Sequence, residues 1–142
     1  MPKALLDTDI FADLLRDGSS NVRARANAYL SREKRFTICS VTVLELVRGM
    51  QQMDRPKELQ RFLEALPSVE VLSIGVEEAT VAGLIHGDLS RLGRTLGRAD
   101  ATVAAAAIVH GLVLVTGNEA HYQRIQALPR PLVIDNWRQS PD

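Results

Sequence analysis

"ATVAAAAIVHGLVLVTGN", residues 101–118, is the stretch whose reading decides the fold. Its first half is rich in alanine, a strong helix former whose small side chain lets a helix lie close against a sheet. Gly111 stops that helix, since glycine readily takes the left-handed conformation just past a helix end. "LVLVT" then runs without polar alternation, as a strand buried on both faces does in a parallel sheet covered by helices on each side. Thr116, Gly117, Asn118 and Glu119 follow at once, placing a polar group where that strand ends.

The same alternation extends outward in both directions. "KALLD" reads as a short buried strand, and "TDIFADLLRDG" sets Ile10, Phe11, Leu14 and Leu15 on one helical face before Gly18. Ser19, Ser20 and Asn21 offer caps for a second helix to about Arg32; "RFTIC" is a second strand, with Ser40 capping the helix of "VTVLELVRGMQQM". Pro56 suits the first turn of "PKELQRFLEAL", and Pro67 ends it. "VEVLSI" is a third strand, followed by Val81, Leu84, Ile85, Leu89 and Leu92 at helical spacing and by the turn "LGRTLG". After Asn118, "NEAHYQRIQAL" is helical and "PLVI" is a last strand. Strands alternating with helices predict an α/β fold with a central, mostly parallel sheet, in which binding sites form at the carboxyl ends of the strands.

Composition sets the bounds. A chain of 142 residues, 46% apolar and 24% charged, suits one domain spanning 1–142, without repeats, linkers or disordered tracts. The longest apolar run, 101–109, is far too short to cross a bilayer, and no leader pattern opens the chain; the expectation is an unexported, cytoplasmic protein with no membrane partner. The lone Cys39 fits a reducing compartment and reads as a buried small hydrophobe. Net charge is zero, so no overall field draws the chain to nucleic acid, yet 14 of the 17 basic residues are Arg, whose fork binds phosphate bidentately. They cluster at Arg23, Arg25, Arg32 and Arg35 and again at Arg91, Arg94 and Arg98, where solvated helix faces explain them equally well.

The strand ends gather acidic residues. Asp7 follows the first strand and Asp9 begins the next helix; Glu45 lies in a helix after the second strand, with nearly all its neighbouring positions apolar; Asp100 opens the Ala-rich helix. Each has an ordinary structural reading. Asp7, Thr8 or Asp9 and, separately, Asp100 are good N-caps; Thr116 with Glu119 matches a capping box; Glu45 falls on a polar stripe with Thr42, Arg48 and Gln52. Taken together they point elsewhere, because converging carboxylates need raised pKa values or a cation, and a hard divalent ion prefers oxygen ligands.

"LLDTDIF", "TVLELVRG", "LGRADATVAAAA" and "LVLVTGNEAHYQRI", in this order from Lys3 to about Trp137, resemble the PIN-domain ribonucleases, most closely the VapC-type toxins of toxin–antitoxin pairs. The resemblance implies a three-layer α/β/α sandwich and an acidic pocket that uses Mg²⁺, with Mn²⁺ also suited, to cleave RNA. It carries the metal-binding and catalytic roles to Asp7, Glu45 and Asp100, and a fourth catalytic position, often Asp, to Asn118. Thr8, Asp9 and Thr116 would then orient ligands by hydrogen bonds; Arg98, the basic residue nearest in sequence to a proposed ligand, and His121 would contact RNA; Tyr122 reads as buried. The resemblance further implies a VapB-type antitoxin as partner and a toxin homodimer, for which apolar residues on helices 41–53 and 56–66 are available.

Two other readings compete. An apolar strand before Asp-x-Asp also resembles the opening of haloacid-dehalogenase-type phosphatases, which need a later Lys, and none follows Lys57. Asn118 in place of a carboxylate is compatible with a domain that binds RNA or protein without cutting it.

Overall fold

The computed structural model describes residues 2–16 and 18–140, so Asp17, inside the helical reading of 8–18, lies outside it. The elements are β1 (Ala4–Leu6), α1 (Thr8–Leu15), α2 (Ser20–Glu33), β2 (Thr37–Cys39), α3 (Ser40–Gln52), α4 (Pro56–Ala65) and, after a 3-10 turn at Leu66–Ser68, β3 (Glu70–Leu72). Then come α5 (Val76–Arg91), α6 (Arg98–His110), β4 (Val113–Val115), α7 (Glu119–Gln126) and β5 (Ile134–Asp135). β1, β4 and β5 form one parallel ladder in the order β1-β4-β5, and β2 pairs with β3, also parallel. β2 lies beside β1, bringing the two ladders together.

Register explains the three layers. Leu5 pairs with Leu114, and both face a core built with Ile85 and Leu89 of α5, the alanines of α6, and Tyr122 and Ile125 of α7. Their neighbours Ala4, Leu6 and Val115 point the other way, into a second core with Ile10 and Phe11 of α1, Tyr29 of α2, Met50 of α3 and Phe62 of α4. Strands so short can be apolar at every position only because helices cover both faces. The alanines 104–107 are all fully buried, and α6 packs closely along α5; side chains that end at Cβ permit this, and a larger residue there would overpack. Gly111 ends α6 with φ +65°, and Gly93 turns the loop after α5 with φ +70°, conformations that a side chain would strain.

Several local expectations are corrected. Ser40 is the first residue of α3, not its cap; its hydroxyl accepts the Ile74 N–H at 3.2 Å, joining the segments after β2 and β3. Asp100 stands in the first turn of α6, whose N-cap is Gly97. Leu84 and Leu92 do not join the buried stripe of α5, which runs through Glu78, Ala82, Ile85 and Leu89; Leu84 is one residue off it, and Leu92 lies beyond the helix end. Leu15 likewise is exposed at the end of α1. No helix among the described residues is long and apolar enough to cross a membrane.

Candidate active site

Asp7 leaves β1 in extended conformation and caps α1, with Oδ1 accepting the Thr8 N–H at 2.8 Å. Its own N–H donates to the Val115 carbonyl, so the residue is fixed by strand pairing as well as by the helix. The side chain is buried, and Oδ2 accepts the hydroxyl of fully buried Thr116 at 2.9 Å. Thr116 Oγ1 in turn accepts the Asn118 N–H at 3.0 Å. The expected Thr116–Glu119 capping box is therefore absent: the hydroxyl faces Asp7 across the β1/β4 pair, and Asn118 is the N-cap of α7. The Glu119 carboxylate instead accepts from Asn136 and Gln139 of the C-terminal segment.

The other acidic groups stand around this centre. Asp9 caps its own Ile10 N–H with Oδ1 and accepts the Gly117 N–H with Oδ2 at 3.0 Å. Asp100 is held through both oxygens: His121 Nε2 lies 2.8 Å from Oδ2, and the Tyr122 hydroxyl donates to Oδ1 at 3.2 Å. Glu45 is reached through Thr8, whose hydroxyl donates to Oε1 at 2.8 Å and lies 3.1 Å from the Thr42 hydroxyl. Thr42 is fully buried, so the polar stripe read along α3 splits; Arg48 and Gln52 bond each other on the exposed side.

Burial pushes the Asp7 carboxyl up to about 6, and the neighbouring charges of Asp9 and, more weakly, Asp100 add to it; the Thr8 N–H and Thr116 hydroxyl offset only part. Asp9 is also raised by burial, against the opposing Gly117 N–H and Arg138. Burial, then the charges of Asp7 and Asp100, hold the Tyr122 phenol above its ordinary range, so it stays a proton donor. The pocket thus holds more negative charge than its surroundings neutralise. Its donors are all oxygens, which fits a hard divalent cation more closely than a soft one. Among the described residues, no three His, Cys, Asp or Glu side chains are grouped closely enough to cage an ion unaided.

The sequence model of one family, the PIN domain, matches residues 4–127. The chain belongs to the PIN-domain family. It is 32% identical over 129 residues to the tRNA(fMet)-specific endonuclease VapC of Shigella flexneri, covering 90% of this chain and 96% of that one. A chain of the DNA-bound VapBC crystal structure from Salmonella typhimurium superposes with TM-score 0.78 at 29% identity, over 96% of this chain and 99% of that chain. The fold is shared also by FitAB bound to IR36 DNA, with TM-score 0.82 at 18% identity over 98% of each chain.

In this PIN domain, Asn118 is exposed beside the pocket and its side chain makes no cap bond. Arg98 is exposed at the start of α6. The cation that reaches the acidic cluster is Arg138, which sequence proximity does not reveal. Its guanidinium binds Asp13 at 2.9 Å, stands 3.7 Å from Asp9 and lies over Gly117, where a Cβ would meet Nη1 at 2.4 Å and Asp9 Oδ2 at 2.8 Å. The segment carrying it is anchored by Trp137, fully buried against Tyr29 and Phe36, and by Arg25 bonding Asp135 and the Asn136 carbonyl.

Proposed function

We propose that this PIN domain is a divalent-metal-dependent endoribonuclease and the toxin of a toxin–antitoxin pair. The observation that carries this reading is the buried Asp7, raised to about 6 amid Asp9 and Asp100 at the carboxyl ends of two parallel strands. Buried like charges are costly, and a site that keeps them answers to a cation supplied from outside. Relatives named as VapC endonucleases, and solved VapBC complexes of the same fold, support the class.

Asp7 and Asp100 would hold the ion, Mg²⁺ in the cell with Mn²⁺ able to replace it, while Glu45 borders the same pocket through Thr8. When bound, such an ion lowers the pKa of a coordinated water and withdraws charge from a phosphodiester. The chain's own groups do the rest. Thr116 and the Thr8 N–H keep the Asp7 oxygens fixed, and Thr8 with Thr42 orients Glu45. Arg138 beside Asp9, His121 on Asp100 and exposed Arg98 at the start of α6 would serve as donors for an RNA backbone or base. Asn118 contributes a neutral amide rather than a fourth carboxylate. A VapB-type antitoxin as partner, a homodimer and a cytoplasmic setting complete the reading.

The test is incubation of purified, antitoxin-free protein with total RNA, and with initiator transfer RNA in particular, in Mg²⁺, in chelator, and as an Asp7→Asn, Asp100→Asn double variant. Discrete fragments from the unmodified protein with metal alone are expected. Intact RNA in every lane from folded protein would refute the nuclease reading.

A further inference from the structure

Tyr122 is fully buried on α7, and its hydroxyl donates to Asp100 Oδ1 at 3.2 Å, reaching from the core to a carboxylate carried by α6. We propose that the Tyr122 hydroxyl is a positioning group of the metal pocket, fixing the Asp100 carboxylate before the ion arrives. This rests on the metal-dependent reading above.

Two observations favour positioning over a buried phenol merely finding an acceptor. The ring cannot rotate freely, since it is enclosed in the core beside Ile125 and meets the His121 ring edge-on at 5.7 Å. The neighbouring His121 takes the other Asp100 oxygen, so two successive residues of α7 fix both ends of a carboxylate that belongs to α6. Groups that orient metal-binding carboxylates typically matter about tenfold to a hundredfold in metal affinity or activity.

Tyr122→Phe keeps the ring and removes only the hydroxyl. Mn²⁺ affinity of the purified protein, by calorimetric titration without RNA, is expected to fall about tenfold. RNA cleavage should lose kcat to a similar extent with KM for RNA held. His121→Ala, which frees the other Asp100 oxygen and leaves the core ring in place, should weaken Mn²⁺ binding in the same direction. A purely structural tyrosine would lower the melting temperature of the chelated protein and leave Mn²⁺ affinity alone; that result overturns the proposal. If the unmodified protein neither binds Mn²⁺ nor cuts RNA, the nuclease reading fails and takes this inference with it. If it does both and Tyr122→Phe matches it, the inference alone falls.

Discussion

Replacing Asp7 with Asn should make the metal-free protein more stable at neutral pH while disabling it. The Asp7 carboxyl has an ordinary value of 3.8 and sits at about 6 in the fold. A group whose folded pKa is raised binds its proton more tightly folded than unfolded, so the folded state is penalised as pH climbs from 3.8 through about 6. At about 1.4 kcal/mol per tenfold change in proton affinity, that gap amounts to about 3 kcal/mol at pH 8. Asn carries no charge to penalise, but it presents a single acceptor where Asp7 takes hydrogen bonds from Thr8 and Thr116 on separate oxygens. The lost bond costs about 1 kcal/mol, leaving a net gain of about 2 kcal/mol. For a domain of this size that is a melting temperature higher by roughly 4–8 °C. Below pH 4 the penalty on Asp7 is gone, and the variant should be the less stable protein by about 1 kcal/mol. Calorimetric melting of both proteins across pH 4–8 in chelator tests this. A variant no more stable than the parent at pH 8, or a difference that ignores pH, would refute the argument.

Thr116→Val, shape-conserving, strips Asp7 of one donor and the Asn118 N–H of its acceptor; a loss of about 1–3 kcal/mol in denaturant unfolding is expected, with RNA cleavage sharply reduced. Gly117→Ala drives a methyl into Arg138 and Asp9; it should cost about 1–2 kcal/mol, and combining it with Arg138→Ala should cost less than the two changes summed, in a double-mutant cycle. Arg25→Ala releases Asp135 and the Asn136 carbonyl; about 1–2 kcal/mol of stability should go, with hydrogen exchange accelerated first across residues 134–139.

Periodicity revealed what is local. The apolar strand before Thr116, the alanines of α6, the stop at Gly111 and the Pro56 start of α4 all follow from neighbours in sequence, and they lie where expected. Contacts between distant segments were less legible. Thr116 and Glu119 have the spacing of a capping box, but Thr116 faces a residue 109 positions away, and no local pattern encodes that. The guanidinium beside Asp9 comes from position 138 and also bonds Asp13, 125 residues back, which sequence proximity could not show. Tyr122 reads correctly as buried, yet its hydroxyl has a purpose only once α6 is packed alongside. The resemblance singled out Asp7, Glu45 and Asp100, but the hydrogen bond from the Thr8 hydroxyl to Glu45 joins residues 37 apart and has no signature in the spacing.

The pairing of β1 with β4 has a consequence for the order in which the acidic site is assembled. Asp7 leaves the ribosome 109 residues before the Thr116 hydroxyl that binds it, and the Gly117 N–H that binds Asp9 follows Thr116. β1 has no ladder partner until β4 emerges, and the strap that carries Arg138 follows later still. Translation delivers the carboxylate long before the groups that surround it, so the acidic site is assembled only after β4 has emerged and paired with β1.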